Sequence, residues 1–238
     1  MQKPTILILL AIFIFAGFDA YGKISCYTGH NRISASAADT IKENQVLYNG
    51  RLWRNIYFTV QGDQFLFSKE FLPGSVSING KTFSNIVLKY DIFEDEIITP
   101  ADTGGIVELN KEMVDSFNIS FQNKKYQFVT IRRDSSKRSK SYFNILYTGK
   151  SALYLKYDKK ISKLEVEGKY DKFYQVSRIY LVKGSIFLPV TGKSELMKIL
   201  SDNKDLVKDF IGKNRLNISV KEPESIIPVI RYYDSISK

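Results

Sequence analysis

Cysteine and histidine are almost absent from this sequence, since each occurs only once in 238 residues, as Cys26 and His30. A single cysteine cannot form a disulfide within the chain, so the fold must depend on a hydrophobic core. Zinc and similar metals need clustered Cys and His ligands, which this chain lacks. The familiar serine and cysteine hydrolases need a base that is usually histidine, and His30 lies in a polar stretch poorly suited to hold a catalytic geometry. We therefore expect no metal and no cofactor.

Complete catalytic motifs are missing as well. No Gly-x-Ser-x-Gly sequence occurs. Residues 148–151 and 191–194 both imitate the end of a phosphate-binding loop, but Asn144 and Phe187 stand where the full motif needs its first glycine. We interpret the first stretch as a hairpin turn and the second as a strand end followed by a helix cap. An enzyme of this sequence would have to use carboxylates, tyrosine or lysine.

The N-terminus has the layout of a secretory signal. Lys3 precedes an apolar stretch at 6–18, which as a helix would span about 20 Å and is too short for a hydrocarbon core of about 30 Å. Ala20 and Gly22 are small residues at the positions that a signal peptidase reads. We therefore predict a signal peptide at 1–22, export to the periplasm or outer-membrane periphery of a Gram-negative bacterium, and no transmembrane segment in the mature chain. The alternative is a lipoprotein acylated at Cys26, which Lys23 disfavours.

Positive charge dominates the composition. The chain has 35 Lys and Arg against 25 Asp and Glu, a formal net charge of +10, and removal of the signal leaves that charge unchanged. A basic exported protein is attracted to anionic envelope surfaces, whereas nucleic acid is not an expected partner there. Another envelope protein is the other partner we consider. One polar loop carries the candidate residues for binding an anionic surface, and the alternative is that this loop is only a solvated connection. The residues are Arg132, Arg133, Lys137, Arg138 and Lys140.

After a polar leader at 23–46, residues 47–192 have the pattern of an antiparallel β domain. β-branched and aromatic runs alternate with Gly, Asn and Asp, and Asn79-Gly80 is the strongest hairpin signal. Residues 52–60 and 65–67 are predicted to form another hairpin. From 193 to 238 the period becomes helical, with Ser194 and Asp202 as N-caps, Gly212 as a stop, and Pro228 kinking or delaying the last helix. The fold class is α+β, mostly β: a curved antiparallel sheet or partly open barrel or sandwich, followed by two to three C-terminal helices packed on it.

Two local features remain open at this level. The acidic stretch 91–96 is interpreted as a hairpin turn whose side chains point into water, with a calcium or acid-base site as the alternative. Trp53 or its alternating partners are interpreted as filling the sheet core, and the alternative is a stacking surface formed by Trp53 with Arg51, Arg54 and Tyr57.

Several runs resemble a group of exported proteins of Bacteroidetes-type bacteria. The likeness covers most of the mature chain, and it implies an envelope location but no activity, so no functional residue is carried over. The runs are LYNGRLW (47–53), GDQFLF (62–67), LKYD (88–91), YTGKSALY (147–154) and YYDS (232–235).

These features favour a non-catalytic binding or scaffolding protein of the envelope. The alternative is a periplasmic carrier that shelters a lipid or another amphiphile in a half-barrel groove. An enzyme is the third hypothesis. A deep apolar groove would favour the carrier, and convergent buried carboxylates would favour the enzyme.

Overall fold

A computed structural model describes residues 45–102, 104–132 and 140–237. Eleven antiparallel strands form one open sheet, and three α-helices follow them. The strands are β1 (Arg51–Leu52), β2 (Leu72–Ile78), β3 (Lys81–Asp91), β4 (Glu96–Pro100), β5 (Ile106–Glu108), β6 (Val114–Phe121), β7 (Lys124–Ile131), β8 (Ser141–Thr148), β9 (Ser151–Val166), β10 (Tyr170–Lys183) and β11 (Ile186–Val190). The helices are α1 (Lys193–Ile199), α2 (Lys204–Lys213) and α3 (Ile227–Ile236), with 3₁₀ turns at Ser201–Asn203 and Pro223–Ile226. The predicted fold class is confirmed.

Neighbouring strands in the sheet follow the order β1-β5-β4-β3-β2-β6-β7-β8-β9-β10-β11. The predicted Asn79-Gly80 hairpin joins β2 to β3, and both turn residues have the positive φ angles (48° and 80°) that a tight two-residue turn requires. The acidic turn joins β3 to β4, with Asp91 opposite Glu96. Local turn chemistry therefore identified most of the pairings correctly.

The hairpin predicted around residues 61–63 does not form. Between β1 and β2 the chain is irregular, and Ile56 and Phe58 are 68% and 80% exposed. The apolar residues of this segment do not line one face of a sheet, because its backbone bonds to strands that are distant in sequence. Gln61 accepts a hydrogen bond from the N–H of Phe173 on β10 (3.0 Å), and the N–H of Leu66 donates to Tyr90 on β3 (2.9 Å).

These long-range contacts show that the sheet curls. Strands β3 and β9 are five positions apart in the sheet, which would separate them by about 24 Å if it were flat. Yet the N–H of Lys159 on β9 donates to the carbonyl of Ile92 at the end of β3, at 3.1 Å. The β3–β4 turn is consequently brought against the middle of β9.

Two hydrophobic clusters fill the fold. The aromatic cluster lies between β2, β3, β6, β7 and β8, and its largest buried side chains are those of Tyr90, Phe117, Phe128 and Tyr142. The helix-side cluster is mainly aliphatic and packs α1 to α3 against β9, β10 and β11. The helical turn at 45–47 belongs to the aromatic cluster, because Leu47 is 4% exposed and Val46 packs beside it.

The helices begin and end differently from the prediction. Gly192 precedes α1 and Asn203 precedes α2, so the predicted caps Ser194 and Asp202 are wrong. Gly212 lies inside α2 and does not stop it; the helix ends at Lys213, and the N–H of the capping residue Asn214 bonds to the carbonyls of Phe210 and Gly212. Pro228 does delay its helix: it occupies the first turn of α3, where a missing N–H costs no helical bond. Across the described residues, no helix combines the length and the apolar character needed to cross a membrane.

Candidate functional site

The carboxylates of the β3–β4 turn are mostly buried, which corrects the expectation that they point into water. Asp91 is 2% exposed, and its Oδ1 accepts hydrogen bonds from the N–H groups of Phe93 (2.9 Å) and Glu94 (3.0 Å). Burial raises the pKa of Asp91 to about 6, despite these bonds. Of the four carboxylates in this turn, only Glu94 is exposed. The curled sheet explains the difference, because β9 covers a turn that would otherwise face solvent.

Asp95 is the centre of a network that joins β3, β9 and the turn between β5 and β6. Its Oδ1 accepts a hydrogen bond from the hydroxyl of Tyr90 (2.6 Å) and contacts the ammonium of Lys156, and its Oδ2 lies 2.9 Å from the ammonium of Lys111. Lys156 is 6% exposed, and burial lowers its pKa although Asp95 acts in the opposite direction. Such a buried ion pair holds the turn at a fixed position over the aromatic cluster.

Two polar atoms beside this network are unsatisfied within the described part of the chain. They are Oε2 of Glu96 and the hydroxyl of Tyr142, both buried and without a hydrogen-bond partner. Burial raises the pKa of Glu96 to about 7, and the ammonium of Lys111 at 3.7 Å only partly offsets this. Burial also raises the pKa of Tyr142, with further contributions from Glu96, Asp95, Glu108 and Glu112. The Tyr142 hydroxyl therefore faces the same group of carboxylates.

An open cleft of about 690 Å³ is lined by Asp95 and Glu96, although Oε2 of Glu96 is itself buried. Each cation in its wall is engaged: Arg51 with Glu108 (2.7 Å), Lys111 with Asp95, and Lys140 with Glu112 (3.9 Å). The cleft, called the charged cleft below, is lined by five carboxylates and three cations, and two cations outside its lining, Lys156 and Arg132, also pair with Asp95 and Glu112. Its ionisable lining residues are Glu94, Asp95, Glu96, Glu108, Glu112, Arg51, Lys111 and Lys140.

A second cleft, of about 350 Å³, lies on the other side of the Arg51–Glu108 ion pair. Trp53 lines this cleft, called the Trp53 cleft below, and its ring packs on Phe65 with 6.0 Å between ring centroids. The Trp53 side chain is half-buried, so it takes part both in packing, as predicted, and in a surface. The two clefts share three residues: Arg51, Glu94 and Glu108.

The predicted anionic-surface residues are only partly described. Arg132 and Lys140 both pair with Glu112 at the rim of the charged cleft, where Nη2 of Arg132 lies 3.2 Å from its carboxylate. These contacts reduce the charge that the two residues present to an anionic surface. The other three, Arg133, Lys137 and Arg138, lie outside the described residues. Binding of the loop to an anionic surface stays a prediction.

The other residues that the sequence analysis singled out do not line either cleft or lie outside the described residues. Residues 148–151 form the β8–β9 turn and residues 191–194 lead from β11 into α1, in keeping with the structural interpretations. Cys26, His30 and the predicted signal lie outside the described residues. Within the ranges that the structure describes, no three His, Cys, Asp or Glu side chains are grouped as a metal site requires.

Sequence reasoning missed the convergence of β3–β4, β5 and β9 on one site. Lys111 and Lys156 are separated by 45 positions, and each is a single lysine in an otherwise ordinary strand or turn. One signal was present: Lys156 stands in the run SALYLKY (151–157), where a lysine inside a strongly apolar strand suggests a buried partner.

No protein-family model matches this chain, and neither the curated proteins nor the solved structures contain a significant match.

Proposed function

We propose that the protein is an exported binding protein without a catalytic role, and that its charged cleft recognises a cationic group of a polar ligand. The observation that carries the proposal is Glu96, whose Oε2 is buried beside the cleft without a partner among the described residues. A buried acceptor without a partner costs stability, about 1–3 kcal/mol for an ordinary group. A ligand in the cleft that donates a hydrogen bond to this oxygen, once the Glu96 side chain has turned towards it, would recover that cost on binding.

A cationic donor fits this oxygen better than a neutral one. Among the described residues, Asp95, Glu108 and Glu112 are each closely ion-paired, whereas Glu96 has Lys111 at 3.7 Å and Glu94 has the hydroxyl of Tyr57. Hydrogen bonds between an ionised donor and a carboxylate are roughly twice as strong as neutral ones. A guanidinium or ammonium group would also favour the ionised form of Glu96 and lower its pKa.

The carrier interpretation gains no support from these two clefts. The charged cleft is lined chiefly by charged and polar residues, and the Trp53 cleft adds five charged residues to its apolar ones, whereas an acyl chain needs a deep apolar groove.

An acid-base enzyme is the second candidate, because Glu96 combines a pKa near 7 with a place in the wall of an open cleft. Turnover of nitrophenyl glycosides or esters that Glu96→Gln abolishes and Glu222→Gln retains would favour the enzyme.

Binding is measurable through Trp53, because it is the only tryptophan of the chain and lies in the adjacent cleft. The purified protein is titrated with N-acetyl-arginine amide and with N-acetyl-citrulline amide, which has the same shape but a neutral head group. We expect the arginine derivative to bind at least tenfold more tightly at pH 8. Affinity should fall as the pH is lowered through about 7, where Glu96 gains a proton.

The matched variants are Glu96→Gln in the cleft and Glu222→Gln on the exposed surface near α3, which remove the same charge. Glu96→Gln should weaken the arginine derivative at least tenfold, and Glu222→Gln less than twofold. Equal binding of the arginine and citrulline derivatives, or no binding of either, would disprove a cation site.

Export is tested separately by the intact mass of the protein purified from its host. That mass should correspond to a chain that begins at or near Lys23 and carries no lipid on Cys26.

A further inference from the structure

β1 is the outermost strand at one end of the described sheet. It pairs inward with β5, since Arg51 lies opposite Glu108 and the N–H of Trp53 donates to Ile106 at 2.8 Å. Backbone groups of successive strand residues point to opposite sides, so the N–H and C=O of Leu52 face away from β5. This edge is therefore oriented to accept another strand.

Large apolar side chains flank this edge on the surface. Leu52 is 61% exposed, Ile56 68% and Phe58 80%, and all three lie within one stretch of seven residues. Leu52 and Ile56 line the Trp53 cleft, next to the charged cleft. Exposed apolar residues grouped in this way mark interaction surfaces more often than isolated ones do. A charged recognition site and an apolar one thus lie side by side along one strand edge.

We propose that the ligand is an extended segment of another polypeptide, which adds as a strand to β1 and places a Lys or Arg side chain in the charged cleft and a large apolar side chain in the Trp53 cleft. This inference rests on the proposed function, because it assigns that cation to a peptide. Strand addition supplies main-chain hydrogen bonds, and pockets for side chains supply specificity.

Two observations favour a peptide over a free amine. The N–H and C=O of Leu52 face away from β5, where a strand can bond to both and a free amine cannot. The exposed side chains of Leu52 and Ile56 would remain uncovered by a small cation. In an extended chain, side chains on the same face are two residues apart, so the basic and apolar residues of the segment should stand at positions i and i+2.

The test uses an acetylated heptapeptide of Ser and Thr with Arg at its third position and Phe at its fifth, titrated against Trp53 fluorescence. We expect it to bind at least tenfold more tightly than N-acetyl-arginine amide. Replacing its Phe by Ser, or methylating the backbone nitrogens on either side of the Arg, should each weaken binding at least fivefold. Replacing its Arg by citrulline should weaken binding at least tenfold.

Protein variants separate the apolar contact from general stickiness. Ile56→Ser removes an exposed apolar side chain in the Trp53 cleft, and Leu206→Ser removes one that is 52% exposed on the remote helix α2. Only the first should weaken the peptide, by at least fivefold, and thermal melting should show that both variants are folded.

The outcomes distinguish the two proposals. If the peptide binds no more tightly than N-acetyl-arginine amide, the peptide inference is wrong and the cation site stands. If the citrulline peptide binds as well as the arginine peptide, while N-methylation still weakens both, strand addition stands and the cation site is wrong. If no peptide and no arginine derivative binds, both proposals fail.

Discussion

The aromatic cluster and the helix-side cluster differ in the buried ionisable groups that lie beside them. Beside the aromatic cluster lie Asp91, Lys156 and the unsatisfied atoms of Glu96 and Tyr142. The helix-side cluster is formed by Leu, Ile, Val and Met with Tyr233, and the carboxylate next to it, Asp234, fixes α3 by accepting the N–H of Ser151 at 2.9 Å. Asp234 also has one buried oxygen without a described partner, so the contrast is one of degree.

The difference shows which part of the protein buries ionisable groups at a cost in folding free energy. Burying ionisable groups opposes folding unless each is paired, whereas burying aliphatic surface favours it by about 25 cal/mol per Å². A protein keeps unfavourable polar burial mainly where binding or catalysis requires it. The helix-side cluster therefore stabilises a fold whose other half holds the proposed binding cleft, and three substitutions test this division.

The largest effect is expected in the helix-side cluster. Ile230 is fully buried there, so Ile230→Ala should lower the free energy of unfolding by about 2–5 kcal/mol, through lost burial and the cavity that remains. Urea denaturation measures this change. Leu206→Ala, at a 52% exposed position of α2, is the control and should stay within about 0.5 kcal/mol of the wild type. A loss below 1 kcal/mol for Ile230→Ala would show that the helices add little stability.

An intermediate effect of opposite sign is expected at Glu96. Its pKa is about 7 in the folded protein and 4.5 ordinarily, so the folded state binds the proton more tightly than the unfolded state. Its contribution to stability is therefore full below pH 4.5 and is lost as the pH rises through 7. Glu96→Gln should stabilise the protein by about 1–3 kcal/mol at pH 8, and the gain should shrink towards pH 5.

Denaturation curves at pH 5, 6, 7 and 8 give the required comparison for Glu96→Gln, with Glu222→Gln as the exposed control. The control should show no comparable dependence on pH. If Glu96→Gln instead destabilises the protein at pH 8, the carboxylate of Glu96 is satisfied in the folded state and the proposed acceptor for a cation is lost.

The smallest effect is expected at Tyr142. Its buried hydroxyl lacks a partner among the described residues, so Tyr142→Phe should change the free energy of unfolding by less than about 1 kcal/mol. Tyr90→Phe is the matched comparison, because the Tyr90 hydroxyl donates to Asp95 at 2.6 Å and its loss should cost about 1–3 kcal/mol. Thermal and urea denaturation of both variants decide the point. Equal losses would mean that the Tyr142 hydroxyl is also satisfied.

Much of the fold could be predicted because its signals are local. The Asn79-Gly80 turn specifies its hairpin through residues that adopt positive φ, and the apolar period of 196–211 identifies helices. The hairpin predicted for 52–67 failed because alternation in sequence does not reveal which distant strand a segment will contact. Here residues 61–66 bond to β3 and β10 instead of to each other.

The sequence by itself determined the antiparallel β pattern, most of the hairpin turns, the C-terminal helices and the basic net charge, because each depends on residues close together in the chain or on composition alone. Only the tertiary structure decided that Asp91, Asp95 and Glu96 of the acidic turn are largely covered and that Lys111 and Lys156 converge on Asp95. The physical reason is the curl of the sheet, which brings β9 over the β3–β4 turn. Desolvation there, and not residue type, raises the pKa of Glu96.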